Sequence, residues 1–298
     1  MTISHPVVKD EIKWTTVNGY EFYTRLFLSV VQPPKATVLL LHGFGDRVDY
    51  YELMAQLFAR SGIQVFGFDQ RGFGLSGEKA GDMGNNHGIP TVVKDIAAMN
   101  KLAMADGVPH FIYGNSMGGM NALNYCLLHS NDDRIAGVIV QSPALRTFGA
   151  ILPSASEVKS CEDDDANRLV MKSIEIDPNY YHDNQEMLNL VVAAGINVND
   201  SALGTLVDMH NVGQSIIARA PHFTTPVLLT HGDGDLITDS SATQEFFDNL
   251  PGDHDKTLRM LDNCPYHVIH YLVEHGAELQ HDYMLWILSR VESACETS

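Results

Sequence analysis

The chain is poor in cysteine, in positive charge and in long apolar runs, and each shortage narrows what it can be. Four cysteines, Cys126, Cys161, Cys264 and Cys295, are scattered over 298 residues without a C-x-x-C pair, which argues against a zinc site and against a disulfide-stapled scaffold. No metal or cofactor is expected, and a reducing compartment is the simpler assumption. Only 19 Lys and Arg stand against 37 Asp and Glu, a formal net charge of −18. A surface of that sign repels phosphate backbones and anionic lipid, so no nucleic-acid partner is expected; a neutral lipid is not excluded. Nothing is apolar for the roughly 20 residues a membrane span needs. The opening MTISHPVVKDEIKW lacks the basic and apolar regions of a signal peptide. The expectation is a cytoplasmic protein, at most peripheral to a membrane or lipid droplet. The length suits one large domain or one domain carrying an insertion.

What is present is an alternation of strand and helix signals. Two β-rich runs, 11–17 and 20–28, flank Asn18-Gly19 and predict a hairpin with a two-residue turn. ATVLLLHG, ending at Gly43, has the continuous apolar pattern of a strand buried on both faces, and it empties into His42-Gly43-Phe44-Gly45. A helix is predicted over 49–60, where Tyr50, Leu53, Met54, Leu57 and Phe58 recur at helical spacing. IQVFGFD is the next strand and runs into RGFGLSGEKAGDMGNNHG, a loop by composition. Gly72, Gly74 and Gly77 there satisfy G-x-G-x-x-G by letter, but glycine and asparagine follow where a pyrophosphate-binding helix should open. Thr91 is expected to cap a helix over 92–105, and RIAGVIVQSP reads as another buried strand.

From Pro143 to about His222 the rhythm is lost. No strong strand pattern appears among the apolar TFGAIL, the acidic CEDDDAN and the apolar MLNLVVAAGINV. Alternation resumes with the strand TPVLLTHG, a helix from Asp239, the strand KTLRMLD and a final helix reaching Arg290, with a frayed polar tail from Glu292. The pattern predicts an α/β fold with a mostly parallel central sheet flanked by helices. The core would span 1–142 and 223–298, and 143–222 would be an inserted cap, or lid, over the strand C-termini, where such sheets bind ligands.

The chemistry centres on HFIYGNSMGGMNALNYCLLH, residues 110–129. It reads as strand, glycine-containing turn and helix, the context of a G-x-S-x-G nucleophile elbow with Ser116 at its tip. A serine hydroxyl is a weak nucleophile unless a sharp turn exposes it to a base. An acid must in turn fix that base's tautomer. In the α/β hydrolase arrangement the order is serine, acid, histidine, each on a loop after a strand. His267, between KTLRMLD and the last helix, fits; His270 is the main rival, expected already within that helix, and His231 precedes the acid and gives the wrong order. Of the acids after TPVLLTHG, Asp235 is preferred and Asp233 comes second, since it follows the strand end too closely; Asp239 is better placed to cap a helix. Two backbone N–H groups, of Met117 after the serine and Phe44 after the ATVLLLHG strand, would form the oxyanion hole.

LHGFGDR, FGFDQRGFGLSGE, YGNSMGGMNAL, PVLLTHGDGDLITD and DKTLRMLDNCPYHVIH together resemble the monoglyceride lipases of the α/β hydrolase superfamily, in order and at similar spacing. By position, the resemblance implies Ser116 as nucleophile, Asp235 as acid, His267 as base and Phe44 and Met117 as oxyanion amides. It implies hydrolysis of a monoacylglycerol ester through an acyl-serine, with the insertion guiding the acyl chain. Asn115 departs from the pattern, because the family usually has histidine before the nucleophile. The partner implied is a small lipid ester, with room for peripheral contact with a lipid surface through the apolar insertion segments. Two other readings stay open: a broader carboxylesterase, lysophospholipase or thioesterase, because a triad does not specify the leaving group, and a catalytically silent binding module on the same fold.

Overall fold

The computed structural model describes residues 7–130, 132–181, 183, 185–186, 188–189 and 198–296. Its centre is an eight-stranded sheet. The hairpin forms as expected: β1 (Asp10–Val17) and β2 (Tyr20–Phe27) pair antiparallel around Asn18 and Gly19, whose φ values of 51° and 74° are those a two-residue type I′ turn demands. There follow β3 (Ala36–Leu41), β4 (Ile63–Phe68), β5 (His110–Asn115) and β6 (Ile135–Gln141). A separate pair is β7 (Met171–Glu175) and β8 (Val198–Ala202), and the main sheet closes with β9 (Val227–Gly232) and β10 (Lys256–Leu261). The order is β1-β2-β4-β3-β5-β6-β9-β10. From β4 to β10 all neighbours are parallel; β2 alone runs against them, and β1, antiparallel to β2, has the common direction again. Strand order therefore reverses at β3, with β4 on one side and β5 on the other. The C-terminal ends of β3 and β5 form the crevice at which such sheets bind ligands.

The helices are α1 (Glu52–Arg60), α2 (Gly74–Ala80), α3 (Ile89–Ala103), α4 (Met117–Leu128), α5 (Ala155–Asp163), α6 (Leu203–Arg219), α7 (Ser240–Asn249) and α8 (Gly276–Glu296). Successive strand residues point to opposite faces, so Leu39, Leu41, Ile112 and Val140 join the core shared with α3, α4 and α6. Val38, Leu40, Tyr113 and Ile139 join the other, shared with α1 and α8. Residues 117–127 of α4 are all buried, and its buried Asn121 donates to Gln70 Oε1 at 2.9 Å.

Several expectations are corrected. The glycine-rich stretch after β4 is not all loop, because α2 forms within it. Leu75 N–H donates to Asp69 Oδ2 at 2.7 Å, Ser76 Oγ accepts from Tyr23 N–H at 2.8 Å, and Gly81 at φ 72° closes the helix. These partners come from β2 and the end of β4, so local composition does not announce the helix. The glycines have a packing reason: a Cβ on Gly72 would lie 2.2 Å from Asn85 O, and one on Gly74 2.3 Å from Asp69 Oδ2. Helix α3 starts three residues early, capped by Gly88 instead of Thr91, with Pro90 in the first turn where no N–H is needed. The stretch 48–51 is a 3-10 turn leading into α1. His270 sits in a 3-10 turn, Ile269–Tyr271, ahead of α8, and α8 continues to Glu296 where a frayed tail was expected.

The stretch 143–222 holds more structure than its sequence signals. β7 and β8 pair antiparallel, and each is only five residues long, too short for a periodicity to register. Helix α6 packs against α4 and α7, and it lies against the segment after β6 so closely that a Cβ on Gly213 would meet Leu145 O at 2.2 Å. Most of MLNLVVAAGINV lies outside the described residues. Cys126, Cys161 and Cys264 are free and buried. Among the described residues no helix is long and apolar enough to cross a membrane, and no cluster of three potential metal ligands occurs.

Candidate active site

Ser116 stands between β5 and α4 with φ 55° and ψ −117°, a left-handed conformation that costs a non-glycine residue about 1–3 kcal/mol. The surroundings hold it there. Ser116 N–H donates to Gln141 O at 2.9 Å, and its carbonyl accepts from Met120 N–H at 2.9 Å and Ala144 N–H at 3.1 Å. The flanking glycines are required by space: a Cβ on Gly118 would lie 2.1 Å from Leu41 O, and one on Gly114 2.4 Å from Gly118 O.

The loop after β3 lies directly against this turn. A Cβ built on Gly43 would be 3.4 Å from Ser116 Cβ, so Phe44 follows a residue whose backbone passes close to the serine. His42 braces the loop from within. Its Nδ1–H donates to Gly43 O at 2.8 Å while Nε2 accepts Gln70 N–H at 2.8 Å. Burial pushes its pKa down to about 4, overriding the Gly43 bond, so it stays in that neutral tautomer. Met117, as the first residue of α4, has an N–H with no intrahelical partner. Of the two backbone donors expected for an oxyanion, Met117 heads α4 and Phe44 belongs to the loop after β3.

Asp235 and His267 meet across the ends of β9 and β10. His267 Nδ1 lies 2.7 Å from Asp235 Oδ2, and both side chains are buried. The carboxylate is saturated with donors: Oδ1 accepts from Ile237 N–H at 2.7 Å and Thr238 N–H at 3.0 Å, and Oδ2 also accepts from the Thr238 hydroxyl at 3.0 Å. Burial alone would raise its pKa. The charge and hydrogen bonds of His267 and His231 overcome that and hold it well below the usual carboxylate range. Backbone contacts fix the histidine itself. His267 N–H donates to Tyr180 O at 2.9 Å, and its carbonyl accepts from the Ser142 hydroxyl at 2.9 Å.

The rivals go elsewhere. His270 Nδ1 faces Gln141 Oε1 at 2.7 Å and its ring stacks on Tyr51 at 5.4 Å. Asp233 is exposed and accepts Cys264 N–H at 2.9 Å. Asp239 caps α7 and pairs with Arg146 at 2.8 Å. Asn115 is buried beneath the serine, its Nδ2 donating to Tyr51 OH at 3.1 Å and its Oδ1 accepting from Gln141 at 2.6 Å. Tyr51 OH donates on to Asp46 Oδ2 at 2.6 Å. Burial raises Asp46 to about 6, against the opposing Tyr51 bond.

Three supporting groups were not identified from sequence: Ser142, the Tyr180 carbonyl and Thr238. The first two act across large sequence separations and leave no local signal. Thr238 lies three residues after Asp235, and an Asp followed by a backbone-bonding Thr is a turn pattern that could have drawn attention to it.

Residues 32–272 match the hydrolase family described as serine aminopeptidase, S33. The chain belongs to that family. Among relatives of this S33-family chain, an uncharacterized abhydrolase domain-containing protein of Dictyostelium discoideum is 37% identical over 88% of this chain and 27% of its own length. A Schizosaccharomyces pombe protein, named as a candidate monoglyceride lipase, is 32% identical over 84% of this chain and 66% of its own. The S33-family chain thus spans about a quarter of the first relative and about two thirds of the second. Among solved structures, a soluble variant of the Saccharomyces cerevisiae monoglyceride lipase in complex with a substrate analog superposes with a TM-score of 0.85 at 19% identity, over 97% of this chain and 98% of that one. The fold is the α/β hydrolase fold.

Proposed function

We propose that this chain hydrolyses the ester bond of monoacylglycerols, releasing fatty acid and glycerol through an acyl-serine intermediate. The observation that carries the chemistry is the buried Asp235–His267 pair, 2.7 Å apart, together with a serine held in a strained turn. An ionised Asp235 accepting from Nδ1 keeps the proton of His267 on that nitrogen, which leaves Nε2 free to take the proton of Ser116 as its oxygen attacks. The negative charge that develops on the carbonyl oxygen is met by the N–H groups of Phe44 and Met117. His267 then protonates the departing glycerol oxygen, and water repeats the sequence on the acyl-enzyme. No metal or cofactor takes part.

The substrate class rests on the names of the relatives: a candidate monoglyceride lipase and a yeast monoglyceride lipase. In this reading 143–222 acts as the cap, and the exposed Phe148, Leu152, Leu169, Val170 and Met171 face a lipid surface or acyl chain. A second reading has a specific basis, since the family description speaks of an aminopeptidase. The same residues would cleave an amide if the leaving amine were protonated by His267. Steady-state rates on monoacylglycerols of varied chain length, lysophospholipids, acyl-CoA and aminoacyl anilides separate these. The monoacylglycerol reading requires the highest kcat/KM on a monoacylglycerol. A flat, low profile across them, or faster anilide cleavage, overturns it. A fluorophosphonate that fails to label Ser116 in folded protein overturns the hydrolase reading as a whole.

A further inference from the structure

We infer that His231 is a positioning residue for the acid of the candidate triad, a second imidazole on the same carboxylate oxygen that orients His267. The inference rests on the hydrolase reading above. His231 is fully buried at the end of β9, four residues before Asp235. Its Nε2 lies 3.2 Å from Asp235 Oδ2 and 3.1 Å from the Thr238 hydroxyl, while its Nδ1 lies 2.8 Å from the Thr243 hydroxyl on α7.

These partners specify a tautomer. A carboxylate oxygen only accepts, so Nε2 carries the hydrogen; Thr243 can donate, so a neutral ring accepts at Nδ1. Thr243 thereby locks the ring from α7, and the ring locks the carboxylate from β9. Around His231 the groups that face it are Asp235 and Thr238 from the loop after β9, Thr243 from α7 and, beyond the shared oxygen, the His267 imidazole. Oδ2 thus has three side-chain donors from His267, Thr238 and His231. With His231 in place, the carboxylate has one orientation and the proton on His267 has one place to go.

Removing one donor to a charged group has two consequences. The carboxylate gains freedom to rotate away from His267, which lowers turnover by about 10- to 100-fold, the ordinary worth of a hydrogen bond to an ion. The charge that faces the His267 imidazole changes with it, so the acid limb of the kcat/KM profile is displaced from the parental position. Substrate contacts are untouched, so KM changes little.

The test compares His231→Leu, His231→Gln and Thr243→Val with the parent on a soluble fatty-acid nitrophenyl ester, with active sites counted by the acyl burst. The inference expects the Leu variant to lose about 10- to 100-fold in kcat per active site, with a displaced acid limb. The Gln variant, whose amide can still donate to Asp235, should recover much of the rate, and the Val variant should fall between. A His231→Leu protein with parental kcat per active site and an unmoved acid limb overturns the inference. So does a loss that appears only as fewer active sites or a lower melting temperature, with Gln no better than Leu. Failure of the underlying hydrolase reading would look different, because the parent itself would show no burst and no fluorophosphonate adduct on Ser116.

Discussion

Replacing Asp235 by asparagine is the most informative single change, because the structure predicts which way the new amide must turn. Oδ1 of the carboxylate accepts two backbone N–H groups, from Ile237 and Thr238, and only an oxygen can satisfy them. The amide NH2 of Asp235→Asn is therefore driven into the Oδ2 position, where it faces His267 Nδ1 at a site now 2.7 Å from a carboxylate oxygen. Two donors cannot face each other, so His267 surrenders its Nδ1 hydrogen and protonates at Nε2 instead. The base is then in the wrong tautomer to accept a proton from Ser116. In a serine protease triad the equivalent change costs about 10⁴-fold in kcat, which corresponds to about 5.5 kcal/mol of transition-state stabilisation. The His231 Nε2–H loses its carboxylate acceptor at the same time, so some added destabilisation is expected. The assay is kcat per folded protein near neutral pH, together with the rate of fluorophosphonate labelling and the downfield proton resonance of an imidazole bonded to a carboxylate. Labelling should slow in parallel and the resonance should disappear. A loss below about tenfold, well short of the triad value, or a retained downfield resonance, would refute the tautomer reasoning.

Gly118→Ala should destabilise the fold by about 1–3 kcal/mol or prevent folding, because its Cβ would overlap Leu41 O at 2.1 Å; thermal melts and the fraction of fluorophosphonate-labelled protein check this. Asp95→Ala should cost about 3–5 kcal/mol, since it strands the buried Arg71 guanidinium now paired at 2.7 Å, while the rate per labelled active site stays parental. Asp69 is fully buried and burial raises it to about 7, against the bonds from Val48 and Leu75 N–H. With an unfolded value of about 3.9, the native state holds a proton that the unfolded state has shed between those pH values. The stability this group contributes is therefore greatest below about pH 4 and falls as pH rises toward 7. Urea denaturation of the parent and of Asp69→Asn at pH 5 and pH 8 should show the parent losing ground relative to the variant at the higher pH.

The sheet strands were legible because each is either a continuous apolar run or an alternating one, and both periods are local. ATVLLLHG, IQVFGFD and TPVLLTHG announce β3, β4 and β9 in this way. Asn18-Gly19 for the hairpin and Asp239 as the cap of α7 were also legible, whereas the cap expected at Thr91 was not. Helix α2 was hidden, since a donor of its first turn is satisfied by the Asp69 carboxylate and Ser76 docks it on β2 by accepting the Tyr23 N–H. The β7–β8 pair was hidden for the same kind of reason. Its partners are far apart in the chain and each strand is too short to show a period.

At the site, type and order of residues were enough to nominate Ser116, Asp235 and His267. A nucleophile elbow needs glycines at fixed offsets, and acid and base must follow strands in a set order. Those are constraints on the chain itself. What the chain order could not express is how the acid is held. His231 looked like a rival base in the wrong place, and only the folding of β9 against α7 brings Thr243 to one side of its ring and Asp235 to the other. The tautomer of an imidazole and the charge of a buried carboxylate depend on every donor within about 3 Å. Those donors here come from β9, its following loop, α7 and the loop after β10. The sequence by itself determined the order of the elements and the candidate reacting groups, because these follow from local period and spacing; the tertiary structure alone decided which groups share a proton, because hydrogen bonds form between atoms that packing brings together.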